Sequence, residues 1–231
     1  MKSQEKIAIF DIDGTIFRKN LHFELIDELA WMKVFPKEVR NSLVALYTNW
    51  LEHKGTYEDY RSAIVELYAK HIKGCSVKDV KKASKAIVSF HRDRTYVFAE
   101  ELIEKFKKGN YHIIAVSGSP AEVVEEFNRS RLNFDKVFGS IYEADKNNIY
   151  TGRAIFEPPK DKGKIISKYI KENNLPLKNS YGIGDTESDA SFLKLVENPI
   201  AFNPNRNLKS IAQKNNWSIV VEKKDVIYKI D

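Results

Sequence analysis

Cysteine is nearly absent from this sequence: Cys75 is the only one among 231 residues. One cysteine cannot form an intramolecular disulfide, and a cysteine-rich metal site is excluded as well. The five histidines show no spacing typical of metal ligands, so we do not expect a histidine-based metal site. The scarcity of cysteine fits a reducing compartment.

Long apolar runs are missing too. No stretch has the length that crossing a bilayer requires, and residues 1–6 are polar, without the hydrophobic region of a signal peptide. We therefore expect a cytoplasmic protein that has no membrane partner.

The excess of positive charge is small, since 38 Lys and Arg stand against 32 Asp and Glu, a net charge of +6. This excess suits an anionic substrate without requiring one. No known nucleic-acid motif or concentrated basic stripe accompanies it, so a nucleic-acid partner is not favoured. The length suits one large α/β domain, or a core domain with a smaller insertion.

The most informative stretch is an apolar run over residues 7–10 that ends in Asp11, Asp13, Gly14 and Thr15. A short run rich in branched residues predicts a buried β-strand. Because Gly14 permits a turn, both carboxylates and the Thr15 hydroxyl are expected to converge on one pocket. Open α/β sheets bind ligands beyond the carboxyl ends of their strands. An acidic turn without function has the same pattern, so this stretch alone decides little.

The remaining chain divides into a helical block and an alternating part. From residue 18 to 94 apolar residues recur at helical spacing, which predicts four helices. Strands and helices then alternate, with strands predicted over 111–116, 138–144, 149–156, 180–183, 199–202 and 218–221. A parallel sheet interrupted after its first strand is the simplest assembly. We therefore predict an α/β core over 1–17 and 95–231, and a helical domain over 18–94.

Polar groups stand at the ends of several predicted strands or in the first turn of the following helix. They are Asp11 and Asp13, Ser117 and Gly118, Lys162, and Asp185 and Asp189. This set suits phosphoryl transfer, in which one carboxylate attacks phosphorus and another moves the proton. Carboxylates from two strands suit Mg²⁺, while a hydroxyl, backbone N–H groups and a lysine suit phosphate oxygens. Each residue alone also has a purely structural explanation, but their ordered occurrence favours a catalytic site.

At these positions the sequence resembles the haloacid dehalogenase superfamily, in the branch of the phosphoserine phosphatases. The first motif, Asp-x-Asp-Gly-Thr after an apolar strand, begins at Asp11. The second, a Ser or Thr that ends an apolar strand, is Ser117, and the fourth, Gly-Asp-x-x-x-Asp, begins at Gly184. The resemblance implies a Rossmann-like three-layer sandwich with a mostly parallel central sheet. It also implies that the helical block is an inserted cap of the C1 type.

The third motif of this superfamily is a lysine upstream of the fourth. In this branch a Lys-Gly pair usually begins a helix, and Lys162 followed by Gly163 fits that pattern. Lys160 and Lys164 remain alternatives. In a helix that starts near residue 161, Lys164 is rotated by about 200° from Lys162 and should face elsewhere.

The resemblance further implies a Mg²⁺-dependent phosphatase that hydrolyses a small-molecule phosphomonoester. Asp11 would be the nucleophile and Asp13 the general acid and base, with Lys162 completing the site. The Asp11 side chain, the Asp13 backbone carbonyl and Asp185 would hold Mg²⁺, and Asp189 would orient the lysine or the metal's waters. The residues expected to bind substrate are Thr15, Ser117, Gly118 and Glu24.

The helical block bears on the choice of substrate. Phosphoserine phosphatases use a cap glutamate and a cap arginine to hold the amino acid. Glu24 resembles the glutamate, but Ile64 stands at the position of the arginine, and Arg61 lies one helical turn away. We therefore expect that phosphoserine is not the preferred substrate.

Four aromatic residues of the block either line a less polar pocket or pack within the cap, and packing is favoured for most of them. They are Tyr47, Trp50, Tyr57 and Tyr60.

Two other functions remain open for the same motifs. A phosphotransferase of the same fold would pass the phosphoryl group to an alcohol instead of water. An end-processing phosphatase would act on a nucleic-acid phosphate, although a cap over the site argues against a polymeric substrate.

Overall fold

The computed structural model describes residues 6–230 and contains one sheet of eight strands with helices on both faces. The strands are β1 (Lys6–Phe10), β2 (Tyr111–Pro120), β3 (Lys136–Ala144), β4 (Tyr150–Phe156), β5 (Tyr181–Gly184), β6 (Asn198–Phe202), β7 (Ser218–Lys223) and β8 (Val226–Ile230). The helices are α1 (Leu21–Trp31), α2 (Glu38–Leu51), α3 (Tyr57–Ile72), α4 (Val77–His91), α5 (Val97–Lys108), α6 (Ala121–Phe127), α7 (Lys162–Glu172), α8 (Ala190–Leu193) and α9 (Arg206–Lys214).

The strands lie in the order β4-β3-β2-β1-β5-β6-β7-β8. The edge strands β4 and β8 are antiparallel to their neighbours, and every other neighbouring pair is parallel. Strand β1 therefore lies between β2 and β5, with the carboxyl ends of all three at one edge of the sheet. This arrangement brings the polar residues after β1, within β2 and after β5 together.

Two apolar clusters cover the two faces of the sheet. Successive side chains of β1 point to opposite faces, so Ile7 and Ile9 pack with α7, α8 and α9, while Ala8 and Phe10 pack with α5 and α6. All four of these β1 side chains are fully buried. The predicted α/β sandwich of three layers is therefore present.

Helices α1 to α4 follow β1 and share the apolar cluster of α5 and α6. The chain enters and leaves this helical segment side by side, since Phe17 and Thr95 form an antiparallel bridge. Next to it, the Arg18 N–H donates to the Arg94 carbonyl at 2.9 Å. These contacts lie at the predicted boundary, but the division into core and cap stays a prediction.

Two features differ from the sequence-based expectation. Strand β2 continues to Pro120 instead of ending at residue 116, because this stretch pairs with β3 and the Ser140 hydroxyl donates to the Gly118 carbonyl at 2.8 Å. Strand β8 lies beyond the last predicted strand and pairs with β7 along its length. None of the helices described for residues 6–230 has both the length and the apolar character that crossing a membrane requires.

Candidate active site

Asp11 follows β1 directly, and its N–H donates to the carbonyl of Ile183 in the neighbouring strand β5 at 2.9 Å. One carboxylate oxygen, Oδ1, accepts from Lys162 Nζ at 2.5 Å. The other, Oδ2, is buried and has no hydrogen-bond partner among residues 6–230. The side chain therefore has one fixed oxygen and one oxygen available for another contact.

Lys162 is the first residue of α7, where the Asp161 carboxylate caps the helix by accepting from the Lys164 N–H at 2.9 Å. Its ammonium bridges Asp11 Oδ1 at 2.5 Å and Asp189 Oδ1 at 2.6 Å. Gly163 lets α7 approach α8 closely, since a Cβ there would lie 2.7 Å from the Ser191 carbonyl oxygen. Of the three candidate lysines, Lys162 is thus the one that reaches the carboxylates.

Asp189 is fully buried and positions its neighbours. Its Oδ1 accepts from Lys162, and its Oδ2 accepts from the N–H groups of Asp185 and Thr186 at 3.0 and 2.9 Å. Both oxygens are therefore engaged in fixing the lysine and the turn after β5. This is the arrangement expected of a residue that orients the site.

Asp13 turns its carboxylate towards β2 and the start of α1. Its Oδ2 accepts from the hydroxyls of Ser117 and Ser119 at 2.6 and 2.7 Å, and its Oδ1 accepts from the Leu21 N–H at 2.6 Å. Ser119 is a neighbour that the sequence analysis missed. Residues two apart on a strand point to the same face, so extending the predicted strand beyond residue 116 would have placed Ser119 beside Ser117.

Two cavities open at this edge of the sheet and share Asn20, Tyr57 and Asp185 as lining residues. The smaller cavity, which we call the reaction centre, is about 40 Å³ in volume and is lined by the polar network. Its walls include Asp11, Asp13, Gly118, Ser119 and Lys162, and from the helical segment His22, Arg61 and Ile64. The larger cavity, of about 540 Å³, lies beside it.

Residues 8–194 match the family of haloacid dehalogenase-like hydrolases. The chain belongs to this family. The resemblance to the haloacid dehalogenase superfamily is thereby confirmed, and the protein is a hydrolase.

Individual relatives of this haloacid dehalogenase-like hydrolase agree with that assignment. The phosphoserine phosphatase of Methanocaldococcus jannaschii is 28% identical over 228 residues, which cover 98% of this chain and 96% of that protein. The histidinol-phosphatase of Neisseria meningitidis serogroup C is 21% identical over 228 residues, covering 94% and 98%. A solved phospho-aspartyl intermediate analogue of phosphoserine phosphatase has a TM-score of 0.64 at 24% identity and covers 96% of each chain. The predicted Rossmann-like fold is therefore confirmed, and the chain is similar to members of the phosphoserine phosphatase-like branch.

The carboxylates of this haloacid dehalogenase-like site carry strongly shifted pKa values. Burial raises the pKa of Asp11 to about 8; the nearby Asp189 and Asp13 add to this rise, while Lys162 opposes it. Burial and the charge of Asp11 raise the pKa of Asp185 well above its ordinary range. Burial disfavours the charged form of Lys162, but Asp11 and Asp189 outweigh that effect and raise its pKa. One buried ammonium thus stands against several buried carboxylates, an imbalance that a cation would relieve.

The donor set fits a divalent cation. Asp11, Asp185 and Asp189 each present a carboxylate oxygen, and these atoms lie within 4.8 Å of one another. The unpartnered Asp11 Oδ2 supplies the kind of hard oxygen that Mg²⁺ prefers. Gly14, at φ +85°, makes room for Asp185, since a Cβ there would lie 2.1 Å from Asp185 Oδ2. Because Asp189 is occupied by Lys162 and the backbone, Asp11 and Asp185 are the side chains best placed to hold a metal.

Several predicted substrate-binding residues lie elsewhere than expected. Thr15 is fully buried, its hydroxyl has no partner within residues 6–230, and it lines neither cavity. Glu24 also lines neither cavity, and its carboxylate accepts from Lys19 Nζ at 3.0 Å. Gly118 lines the reaction centre, whereas Ser117 does not, and the Ser117 hydroxyl donates to Asp13 at 2.6 Å. The binding roles of all four residues stay predictions.

Proposed function

We propose that this haloacid dehalogenase-like hydrolase is a Mg²⁺-dependent phosphatase that cleaves small-molecule phosphomonoesters through an aspartyl phosphate on Asp11. The observation that carries the proposal is the Asp11 carboxylate, held through Oδ1 by Lys162 while Oδ2 remains unpartnered among residues 6–230. A buried carboxylate held in one orientation is suited to attack an electrophile. The names of the phosphoserine phosphatase and histidinol-phosphatase relatives support phosphomonoesters as the substrate class.

In the first step, an Asp11 oxygen attacks phosphorus and the bond between phosphorus and the substrate's alcohol oxygen breaks. Asp13 gives its proton to that departing oxygen, which leaves as the alcohol. Burial raises the pKa of Asp13, which favours the protonated form needed here. The hydroxyls of Ser117 and Ser119 and the Leu21 N–H hold the Asp13 carboxyl in place.

In the second step, a water molecule attacks phosphorus while Asp13 takes one of its protons. The bond between phosphorus and the Asp11 oxygen breaks, which releases inorganic phosphate and regenerates the carboxylate. Lys162 stabilises negative charge on Asp11 and on the phosphoryl oxygens throughout, and Asp189 keeps its ammonium in place. The helical segment 18–94, as a cap, would exclude bulk water during the first step.

Asp11 and Asp185, with the Asp13 backbone carbonyl, would hold Mg²⁺. When bound, the ion would neutralise charge shared between the carboxylates and the phosphate.

A panel of phosphomonoesters, assayed for inorganic phosphate release with Mg²⁺ or with EDTA, tests the proposal. We expect turnover that requires the metal. Borohydride reduction during turnover should convert phosphorylated Asp11 into homoserine, which mass spectrometry of the peptide detects. Metal-independent turnover, or no modification at position 11 in an active enzyme, would contradict the mechanism.

Among small phosphates, we propose that phosphoserine is not the preferred substrate. Ile64 lines the reaction centre where the resemblance expects an arginine, and it is buried and apolar. Losing a desolvated charge pair typically costs on the order of 2–5 kcal/mol. The same panel decides this point, since the highest kcat/KM for phosphoserine would overturn it.

A further inference from the structure

The larger cavity differs in character from the reaction centre beside it. Its volume is about 540 Å³, and five aromatic side chains of the helical segment form one of its walls. We call this cavity the aromatic chamber. These side chains are Phe23, Tyr47, Trp50, Tyr57 and Tyr60. Tyr57 also lines the reaction centre, so the aromatic chamber directly adjoins the reaction centre.

The aromatic rings contact one another but do not close the cavity. Trp50 and Tyr60 are stacked, with ring planes 16° apart and centroids 5.5 Å apart. Tyr57 meets Trp50 edge to face at 5.4 Å. Tyr47 remains 41% exposed, and Trp50 and Tyr57 are only half-buried. The sequence analysis favoured simple packing for most of these residues, whereas the structure gives them mutual packing and an open surface.

Two of the three basic residues that line the same cavity are paired with carboxylates, and the third, Arg206, is exposed. Arg18 is paired with the buried carboxylate of Glu222, and Lys19 is paired with Glu24 at 3.0 Å. The Arg18 guanidinium also lies over the Tyr96 ring, 5.0 Å from its centroid. With these two cations neutralised, the apolar rings are the larger part of what an occupant meets.

We propose that the alcohol part of the substrate carries an aromatic ring, which packs against the aromatic chamber while the phosphate occupies the reaction centre. This inference rests on the proposed phosphatase function. Aromatic rings prefer offset or edge-to-face contacts with other rings, and such contacts add to the effect of burial. Ligand sites typically combine an apolar surface with a few polar groups that fix orientation, and the two adjoining cavities divide those tasks.

Three esters with similar alkyl leaving groups test the proposal: 2-phenylethyl phosphate, 2-cyclohexylethyl phosphate and ethyl phosphate. Burial of the ring should raise kcat/KM of the phenyl ester about 10- to 100-fold above that of ethyl phosphate. The cyclohexyl ester has the same bulk without an aromatic face. The phenyl ester should therefore exceed it by about three- to tenfold.

A matched pair of variants assigns the effect to the chamber. In Trp50→Leu, the ratio of kcat/KM for the phenyl ester to that for ethyl phosphate should fall about tenfold. Trp31→Leu is the control, because Trp31 is also on the helical segment but is 70% exposed and lines neither cavity. It should keep the wild-type ratio. Turnover of ethyl phosphate by Trp50→Leu reports that the variant is folded.

The failure of this inference is distinguishable from failure of the phosphatase proposal. If the wild-type enzyme hydrolyses all three esters with equal kcat/KM, the phosphatase proposal stands and the aromatic preference is wrong. If none is hydrolysed, the aromatic preference is still tested by measuring the binding of 3-phenylpropylphosphonate and 3-cyclohexylpropylphosphonate by calorimetry. Tighter binding of the phenyl compound that is lost in Trp50→Leu supports the chamber, and equal binding overturns it.

Discussion

The reaction centre and the aromatic chamber adjoin each other, yet charged side chains form the first and aromatic side chains form much of the second. In the reaction centre, carboxylates that follow β1 and β5 and the ammonium at the start of α7 fix one another through hydrogen bonds. In the chamber, side chains from helices α1 to α3 meet through ring contacts and remain partly exposed. One region is polar and held by hydrogen bonds, and the other is apolar and partly exposed.

This contrast separates two tasks. Residues after β1 and β5 are located by the hydrogen-bond register of the sheet, as the contact between the Asp11 N–H and the Ile183 carbonyl illustrates. Chemistry that needs atoms placed to within a fraction of an ångström belongs on such elements. Helices on a connected segment tolerate other side chains at their faces, so substrate preference is the property that we expect to vary there.

The largest effect should come from the nucleophile. Asp11→Asn should reduce turnover by several orders of magnitude, because an amide is a poor nucleophile. Phosphate release from the best ester of the panel measures it. Asp225→Asn, which changes an exposed carboxylate in the turn between β7 and β8, is the matched control and should behave like the wild type. Turnover near the wild-type rate in Asp11→Asn would show that another group attacks phosphorus.

The next effect concerns the bridging lysine. Lys162→Ala should lower kcat by roughly 100- to 1,000-fold, since it removes a preorganised cation from the site. Lys160→Ala and Lys164→Ala should remain close to the wild type, because both side chains are exposed and Lys160 pairs with Glu157. Steady-state kinetics of the three variants decide the assignment. Collapse of activity at Lys160 or Lys164, with Lys162 dispensable, would contradict it.

Much of the reaction centre could be predicted from the sequence. The apolar strand before Asp11, the turn at Gly14 and the helix start at the Lys-Gly pair of residues 162 and 163 are local patterns that short sequence windows indicate. The positive φ of Gly14 and the close approach of Gly163 to Ser191 explain why glycine stands at both positions. Ser119 was missed because the predicted strand ended at residue 116, whereas β2 continues to Pro120.

The helical region was much less predictable. Helical periodicity gives the buried face of each helix, but it does not say which neighbour a partly exposed ring will meet. The Glu24 carboxylate, expected at the substrate, pairs with Lys19, while His22 and Arg61 reach the reaction centre. These outcomes depend on how four helices cross, and that packing is a property of the whole segment.

Arg61 offers a way to separate the two regions experimentally. It lies on helix α3 yet lines the reaction centre, and its Nη1 would be 4.0 Å from a Cβ at Gly118. Arg61→Ala should lower kcat/KM about 10- to 100-fold for every phosphate ester, the size expected of a lost charge-assisted hydrogen bond. The ratio between the phenyl and ethyl esters should not change, in contrast to Trp50→Leu.

Arg61 is paired with Glu58 at 2.5 Å, and Arg40→Ala is its control, because Arg40 forms a similar ion pair with Asp27 at 2.7 Å on a more exposed surface. It should affect neither the rate nor the ratio. A change of ratio in Arg61→Ala without a general loss of rate would mean that Arg61 acts on the alcohol instead of the phosphate.

The smallest effect concerns stability and tests His22, the buried residue that α1 contributes to the reaction centre. Burial, with a further contribution from the Arg61 charge, lowers the pKa of His22 to about 3, against 6.5 ordinarily. Between these two pKa values the unfolded chain binds a proton at His22 more readily than the folded protein does. The stability that comes from holding His22 neutral is therefore complete above pH 6.5 and is lost as the pH falls.

The variant His22→Phe keeps an aromatic ring beside Tyr68, whose centroid lies 4.7 Å from that of His22 in the structure. From pH 7 to 5.5 it should therefore lose about 1 kcal/mol less unfolding free energy than the wild type, as measured by urea denaturation. His53→Asn, at an exposed position, should keep the wild-type dependence, and an unchanged dependence in His22→Phe would show that His22 is not held neutral.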